Sequence, residues 1–156
     1  MDTDPEIIVA CDPGASGGWA WQIPGFVVGV ENAPDTPHEL VHLLECIQKD
    51  GNVRVYLEEV GGYIAGGGAP GSAMFNFGRN FGEILGVCAA LGIPVELVKP
   101  QKWQKALGLG NSAGMTKTQW KNKLKAKALQ LFPNTTVTLK TADALLIMHA
   151  AQKKLI

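Results

Sequence analysis

Apolar residues fall into short runs and into periodic rows along this chain, and the two patterns separate strands from helices. Ile7-Ile8-Val9-Ala10-Cys11 is an unbroken apolar run, the mark of a buried strand, and it ends at Asp12. Pro13 to Gly18 is a turn, and Trp19-Ala20-Trp21 begins a second strand. Phe26 to Val30 reads as a third after the Pro24-Gly25 break, so the first thirty residues predict an antiparallel meander. From Thr36 to Lys49 the residues Leu40, Leu43, Leu44 and Ile47 recur at helical spacing, with Thr36 as cap and Pro37 in the first turn.

Val53 to Glu58 alternates and predicts a fourth strand after that helical crossover. Gly61 to Gly71 holds six glycines and reads as a mobile loop. Ser72 opens a helix that runs to Leu91, and Val95 to Val98 is a fifth strand. Pro100 starts a short helix ending near Gly108. Thr116 caps a lysine-rich helix reaching Leu131, and Thr141 caps a last one from Ala142 to Lys153. The order βββαβαβα, with two extra helical pieces before the last helix, predicts an α/β domain with a mixed five-stranded sheet flanked by helices. Residues 1–156 are expected to form one such domain.

Composition narrows the class. With 46% hydrophobic and 18% charged residues, the chain is neither a disordered tail nor an acidic spacer. Its start, MDTDPEII, lacks the basic and apolar regions of a secretory signal. The longest nearly uncharged stretch, Ile84 to Val95, contains Gly92 and Pro94 and is too short to span a bilayer. Three widely spaced cysteines (Cys11, Cys46 and Cys88) do not suggest a disulfide framework. The expectation is a soluble cytoplasmic protein with no membrane partner.

A net charge of zero hides a strong polarity. Residues 1–60 carry eleven acids and two bases, and residues 61–156 carry twelve bases and three acids. Such an imbalance suggests a polyanionic partner for the second part, unless the two parts interleave into a mixed surface.

Three acids stand at the ends of elements. Asp12 ends the first strand, Glu58 ends the fourth, and Asp143 lies in the first turn of the last helix. If strands one and four are neighbours, their ends converge, and the last helix brings a third carboxylate to the same place. Clustered carboxylates raise one another's pKa unless a cation sits among them. Oxygen ligands without nearby His or Cys suit Mg²⁺ or Mn²⁺ rather than zinc. Each acid alone has an ordinary explanation: a turn at Asp12, a solvated Glu58, a helix-dipole contact at Asp143.

Taken in order, these motifs resemble the RuvC-like Holliday junction resolvases of the RNase H-like superfamily, the short phage and bacterial forms in particular. Asp12-Pro13-Gly14 resembles the first motif of that family, a strand followed by Asp-x-Gly. Leu57-Glu58-Glu59-Val60 resembles the second, with Glu58 rather than Glu59 as the match, and Thr141-Ala142-Asp143-Ala144-Leu145 resembles the last. Pro100, Gly108, Gly110, Lys117 and Gln119 resemble the segment between. The resemblance implies an RNase H-like fold and a homodimeric, metal-dependent endonuclease that cuts branched DNA. It also implies that Asp12, Glu58 and Asp143 are both the catalytic residues and the Mg²⁺ or Mn²⁺ ligands. One position departs from the pattern: a further acid or histidine is expected three or four residues before the final Asp, where this chain has Lys140 and Leu139. Lys140 would then neutralise the carboxylates or hold a phosphate.

Lys117, Lys121 and Lys125 recur every four residues on one helix face, and Lys102 and Lys105 precede them. Thr116 to Leu131 contains no acid, unlike a merely solvated face, so this row is expected to contact DNA phosphates. Trp103 and Trp120, interleaved with the lysines, are expected in the core. Gly78, Gly82 and Gly86 would let another backbone come close, either this chain's own or a second subunit's. His38, His42 and Cys46 share a helix face, but no second Cys/His pair completes a zinc site. Two other functions fit parts of the pattern. One is a junction-binding protein of the same fold with weakened chemistry. The other is an actin-like phosphotransferase, because Asp12-Pro13-Gly14-Ala15-Ser16 also resembles a phosphate loop.

Overall fold

A computed structural model describes residues 4–59 and 71–156. Its strands are β1 (Glu6–Asp12), β2 (Gly18–Gln22), β3 (Val28–Asn32), β4 (Asn52–Glu58) and β5 (Val95–Val98). The helices are α1 (Pro37–Gln48), α2 (Gly71–Ala90), α3 (Pro100–Ala106), α4 (Lys117–Leu131) and α5 (Ala142–Gln152). The strands form one mixed sheet in the order β3-β2-β1-β4-β5, antiparallel across β1–β2–β3 and parallel across β1–β4–β5. Except for Gly71, which opens α2, the glycine-rich stretch expected to be a mobile loop lies outside the described residues.

Alternation along the strands sorts side chains onto two faces. Ile7, Val9 and Cys11 of β1, with Val53, Val55 and Leu57 of β4, pack with Leu40, Leu44 and Ile47 of α1 and with Ile84 and Cys88 of α2. Ala10 of β1, Ala20 of β2 and Tyr56 of β4 face the opposite way, into a core filled by α5 and by Trp103 of α3 and Leu124 of α4. Apolar almost all round, α5 is buried from Ala144 to Met148 and again at Ala150 and Ala151, as befits a helix enclosed by sheet and other helices.

Two local expectations need correction. The third strand begins at Val28 rather than Phe26, because the register pairs Gln22 with Val28 and leaves residues 23–27 as the hairpin connection. Phe26 and Val27 are therefore exposed at its tip. Thr141 precedes α5 but does not cap it through its side chain. Its buried hydroxyl instead accepts the Thr138 backbone N–H at 3.1 Å, closing the turn that leads into the helix. Thr36 and Thr116, by contrast, form full capping boxes with Glu39 and Gln119.

That Thr138–Thr141 turn lies close against the sheet. A Cβ on Gly18 would sit 2.5 Å from the Lys140 carbonyl oxygen, so only glycine lets the chain entering α5 pass the start of β2. On α2 the opposite holds. Gly78, Gly82 and Gly86 have nothing among the described residues within 4 Å of an added Cβ, so none of the described backbone fills the stripe.

Candidate metal and nucleic-acid site

The parallel pairing of β1 with β4 builds the site. Cys11 pairs with Leu57, so the next residues, Asp12 and Glu58, leave the same end of adjacent strands. Both share strand parity with the residues that face α5, Asp12 with Ala10 and Glu58 with Tyr56. Asp143 enters from the first turn of α5, which packs on that face. The three expected acids therefore come to one end of the sheet. Beyond Asp12 the chain turns sharply, with the Gly17 N–H bonded to the Gly14 carbonyl at 3.0 Å. The Gly14 N–H is donated to Asn80 Oδ1 of α2 at 2.8 Å. Two amides that a phosphate loop would direct at its ligand are thus already engaged, which weighs against the phosphotransferase reading.

Electrostatics show what such a gathering costs. Burial, reinforced by Glu58 and Asp143, pushes Asp12 up to about 8. Glu58 is pushed to about 7, mainly by burial and further by Asp143, against a lowering by its hydrogen bond from Trp103. Burial also raises Asp143. The cation that eases all three is the half-buried Lys121.

Among the described residues, no three His, Cys, Asp or Glu side chains stand close enough to form a ready-made cation cage. Donor chemistry nevertheless fits a hard divalent ion: Asp12, Glu58 and Asp143 offer only oxygens and, once ionised, carry more negative charge than Lys121 offsets. The adjacent Cys11 is wholly buried on the other face of the sheet, its thiol pushed well up by that burial.

Lys102, Lys105 and Lys117 are exposed, whereas Lys121 and Lys125 are half-buried. Of this row, Lys121 is the member that acts on the carboxylates, one turn beyond the exposed Lys117. Lys123, off the row, donates to the Leu109 carbonyl at 2.8 Å and lies over the Trp120 ring. Lys140 is exposed.

Trp103 is wholly buried and Trp120 packs half-buried against the same core. Trp103 also does something that its place among glutamines and lysines in the sequence did not reveal. Its indole N–H donates to Glu58 Oε2 at 2.7 Å. The register that pairs Glu58 with Val98 at the end of β5, just before α3, brings the two residues together, and the sequence carries no sign of it. The His42–Cys46 pair, 3.7 Å apart, lines a groove of about 780 Å³ beside α1 that none of the three carboxylates lines.

Sheet order and helix placement are those of an RNase H-like α/β fold, a mixed five-stranded sheet flanked by helices. The chain is similar to RuvC of Thermus thermophilus, with a TM-score of 0.59, 17% identity and 95% of each chain covered. It is similar also to T. thermophilus RuvC in complex with a Holliday junction substrate, at TM-score 0.59, 15% identity and 95% coverage of both chains. At the level of sequence, no family model and no curated protein matches the chain.

A carboxyl whose pKa is raised by folding holds its proton more tightly in the folded state than in the unfolded one. Its stabilising share is complete below its unfolded pKa, near 4, and is lost as pH rises through its folded value, about 8 for Asp12. In metal-free buffer, Asp12→Asn is therefore expected to gain stability over wild type as pH rises across that window. Thermal melts of both proteins at a series of pH values test this. A difference that stays constant with pH would mean that Asp12 carries no such strain.

Proposed function

We propose that this chain is a metal-dependent endonuclease that hydrolyses phosphodiesters of branched DNA, with the four-way junction as its substrate. The observation that carries the reading is the convergence of Asp12, Glu58 and Asp143 at one end of an RNase H-like sheet. The structural likeness to a RuvC seen with a Holliday junction substrate supports the choice of DNA.

Asp12, Glu58 and Asp143 would hold Mg²⁺ or Mn²⁺, which when bound activates a water and stabilises the leaving oxygen. The chain's own residues do the rest. Lys102, Lys105 and Lys117 meet backbone phosphates and fix the register of the duplex without reading its sequence. Lys121, one turn along the same row, brings positive charge to the carboxylate end, where the scissile phosphate must sit, and Lys125 continues the row as a further phosphate contact. Water adds to phosphorus, one P–O bond breaks, and the departing oxygen takes a proton.

A second reading has a specific observation in its favour. Lys140 stands where a further acid is expected, and the three acids do not form a closed cage among the described residues. A junction-binding protein with weakened chemistry would have these features.

The open stripe on α2 supports a homodimer. Phe75, Gly78, Arg79, Gly82 and Gly86 are exposed along one side of this helix, and the glycines admit a second backbone. A two-fold pair would present two carboxylate sites to the two symmetric strands of a junction.

Nicking of a synthetic four-way junction, with Mg²⁺, Mn²⁺ or chelator, tests the main reading. Wild type is expected to cut only with metal, and Asp12→Asn is expected to abolish cutting while still binding the junction. Binding without cutting in either metal would favour the second reading.

Replacing both Lys105 and Lys117 with Ala is expected to weaken binding to junctions of every sequence. The log–log salt slope should become shallower by about 2, close to one unit for each phosphate that is no longer neutralised. An unchanged slope would mean that these lysines are only solvated.

Oligomeric state is read by sedimentation. Wild type is expected as a dimer and Gly82→Glu as a monomer with an unaltered circular dichroism spectrum, since position 82 is open in the single chain. A monomeric wild type would remove the dimer.

A further inference from the structure

The hydrogen bond from Trp103 to Glu58 joins a rigid, enclosed donor to an acid of the candidate site. Pro100 opens α3 immediately after β5, and Trp103 follows one turn later with its ring wholly enclosed by the α5-side core. Indole is a donor only, and a buried indole N–H needs an acceptor. Here the acceptor is a carboxylate that is itself only 7% exposed. The 2.7 Å separation is that of a short, charge-assisted bond. Packing fixes the indole, and the indole in turn fixes Oε2. Among the described residues, Oε2 accepts the indole N–H and Oε1 accepts no hydrogen bond, so Oε1 is the oxygen left to meet another partner.

We propose that Trp103 is a positioning residue of this site: its indole N–H holds Oε2 of Glu58 and presents Oε1 as the one oxygen that Glu58 offers to a divalent cation. This rests on the metal-site reading above. Trp103 touches neither the ion nor the DNA in this role and acts only through Glu58. The bond is made before any ion arrives, so the carboxylate does not have to be ordered at the moment of binding. Loss of an outer hydrogen bond to a metal ligand weakens metal affinity about 10- to 100-fold.

The test is Mn²⁺ affinity, measured by calorimetry on the full chain without DNA. Trp103→Phe removes the N–H together with part of the ring. Benzothienylalanine at position 103 keeps the ring's shape and replaces the N–H with sulfur, so it preserves packing if the phenylalanine variant folds poorly. Both are expected to bind Mn²⁺ about 10- to 100-fold more weakly, with the isosteric variant melting near wild type when metal-free. In a Glu58→Gln background, the isosteric change is expected to cause no further loss, since it acts through that carboxylate. Wild-type affinity in the isosteric variant would overturn the role of Trp103 and leave the metal site standing. A wild type that binds no Mn²⁺ would overturn the metal site and this proposal together.

Discussion

Parallel pairing between β1 and β4 is the constraint on which the rest of the molecule depends. The register that sets Cys11 beside Leu57 also sets Asp12 beside Glu58, and period-two alternation then turns both carboxylates to the α5 side. A slip of one residue would send Asp12 into the apolar core of α1 and α2 and expose Val9 and Cys11 to the other layer. Apolar burial on two faces therefore enforces the position of the acids. The residues that stabilise the fold and the residues of the candidate site are not separable here, because one pairing places both.

The second determinant is how closely α5 approaches the sheet. Ala142, Ala144, Ala150 and Ala151 are buried on this helix, and Ala10 and Ala20 face it from β1 and β2. Small side chains on both surfaces shorten the distance between helix and sheet, and Gly18 removes the last obstruction beneath the turn that precedes the helix. Asp143 reaches the strand ends because of this thin interface. The electrostatic penalty on the three acids is thus a product of packing, imposed by apolar contacts far more numerous than the charges they force together.

Much of this arrangement was legible in the sequence because it follows from periodicity. The apolar run at Ile7–Cys11 and the alternation at Val53–Glu58 mark strands wherever they occur, and a helical crossover between them implies parallel neighbours. Convergence of Asp12, Glu58 and Asp143 followed from those elements. What stayed hidden depends on contacts between distant segments. Nothing near Trp103 signals that its N–H would meet a residue 45 positions earlier, because an apolar ring in an amphipathic helix reads first as core. Asn80 was equally silent: its bond to the Gly14 amide links α2 to the turn after β1. Thr141 misled for a related reason. Its hydroxyl accepts the Thr138 N–H of its own turn and caps no amide of α5.

Lys121 shows how a one-dimensional pattern can conceal two environments. On a helical wheel, Lys117, Lys121 and Lys125 are equivalent, yet the core encloses Leu124 and Ala128 farther along the helix and leaves Lys117, at its start, in the open. One row therefore holds both a solvated cation and a cation that lowers the pKa of one buried and two half-buried acids. With every group ionised, three carboxylates and the Lys121 ammonium leave two negative charges uncompensated. A single divalent ion would neutralise that remainder, whereas a second would need further negative charge from a bound phosphate. Lys140 supplies none at the position where an additional acid is expected. On charge balance alone, then, the protein groups of the proposed site match one divalent cation, and under the nuclease reading any further ion would need the charge of a bound phosphate.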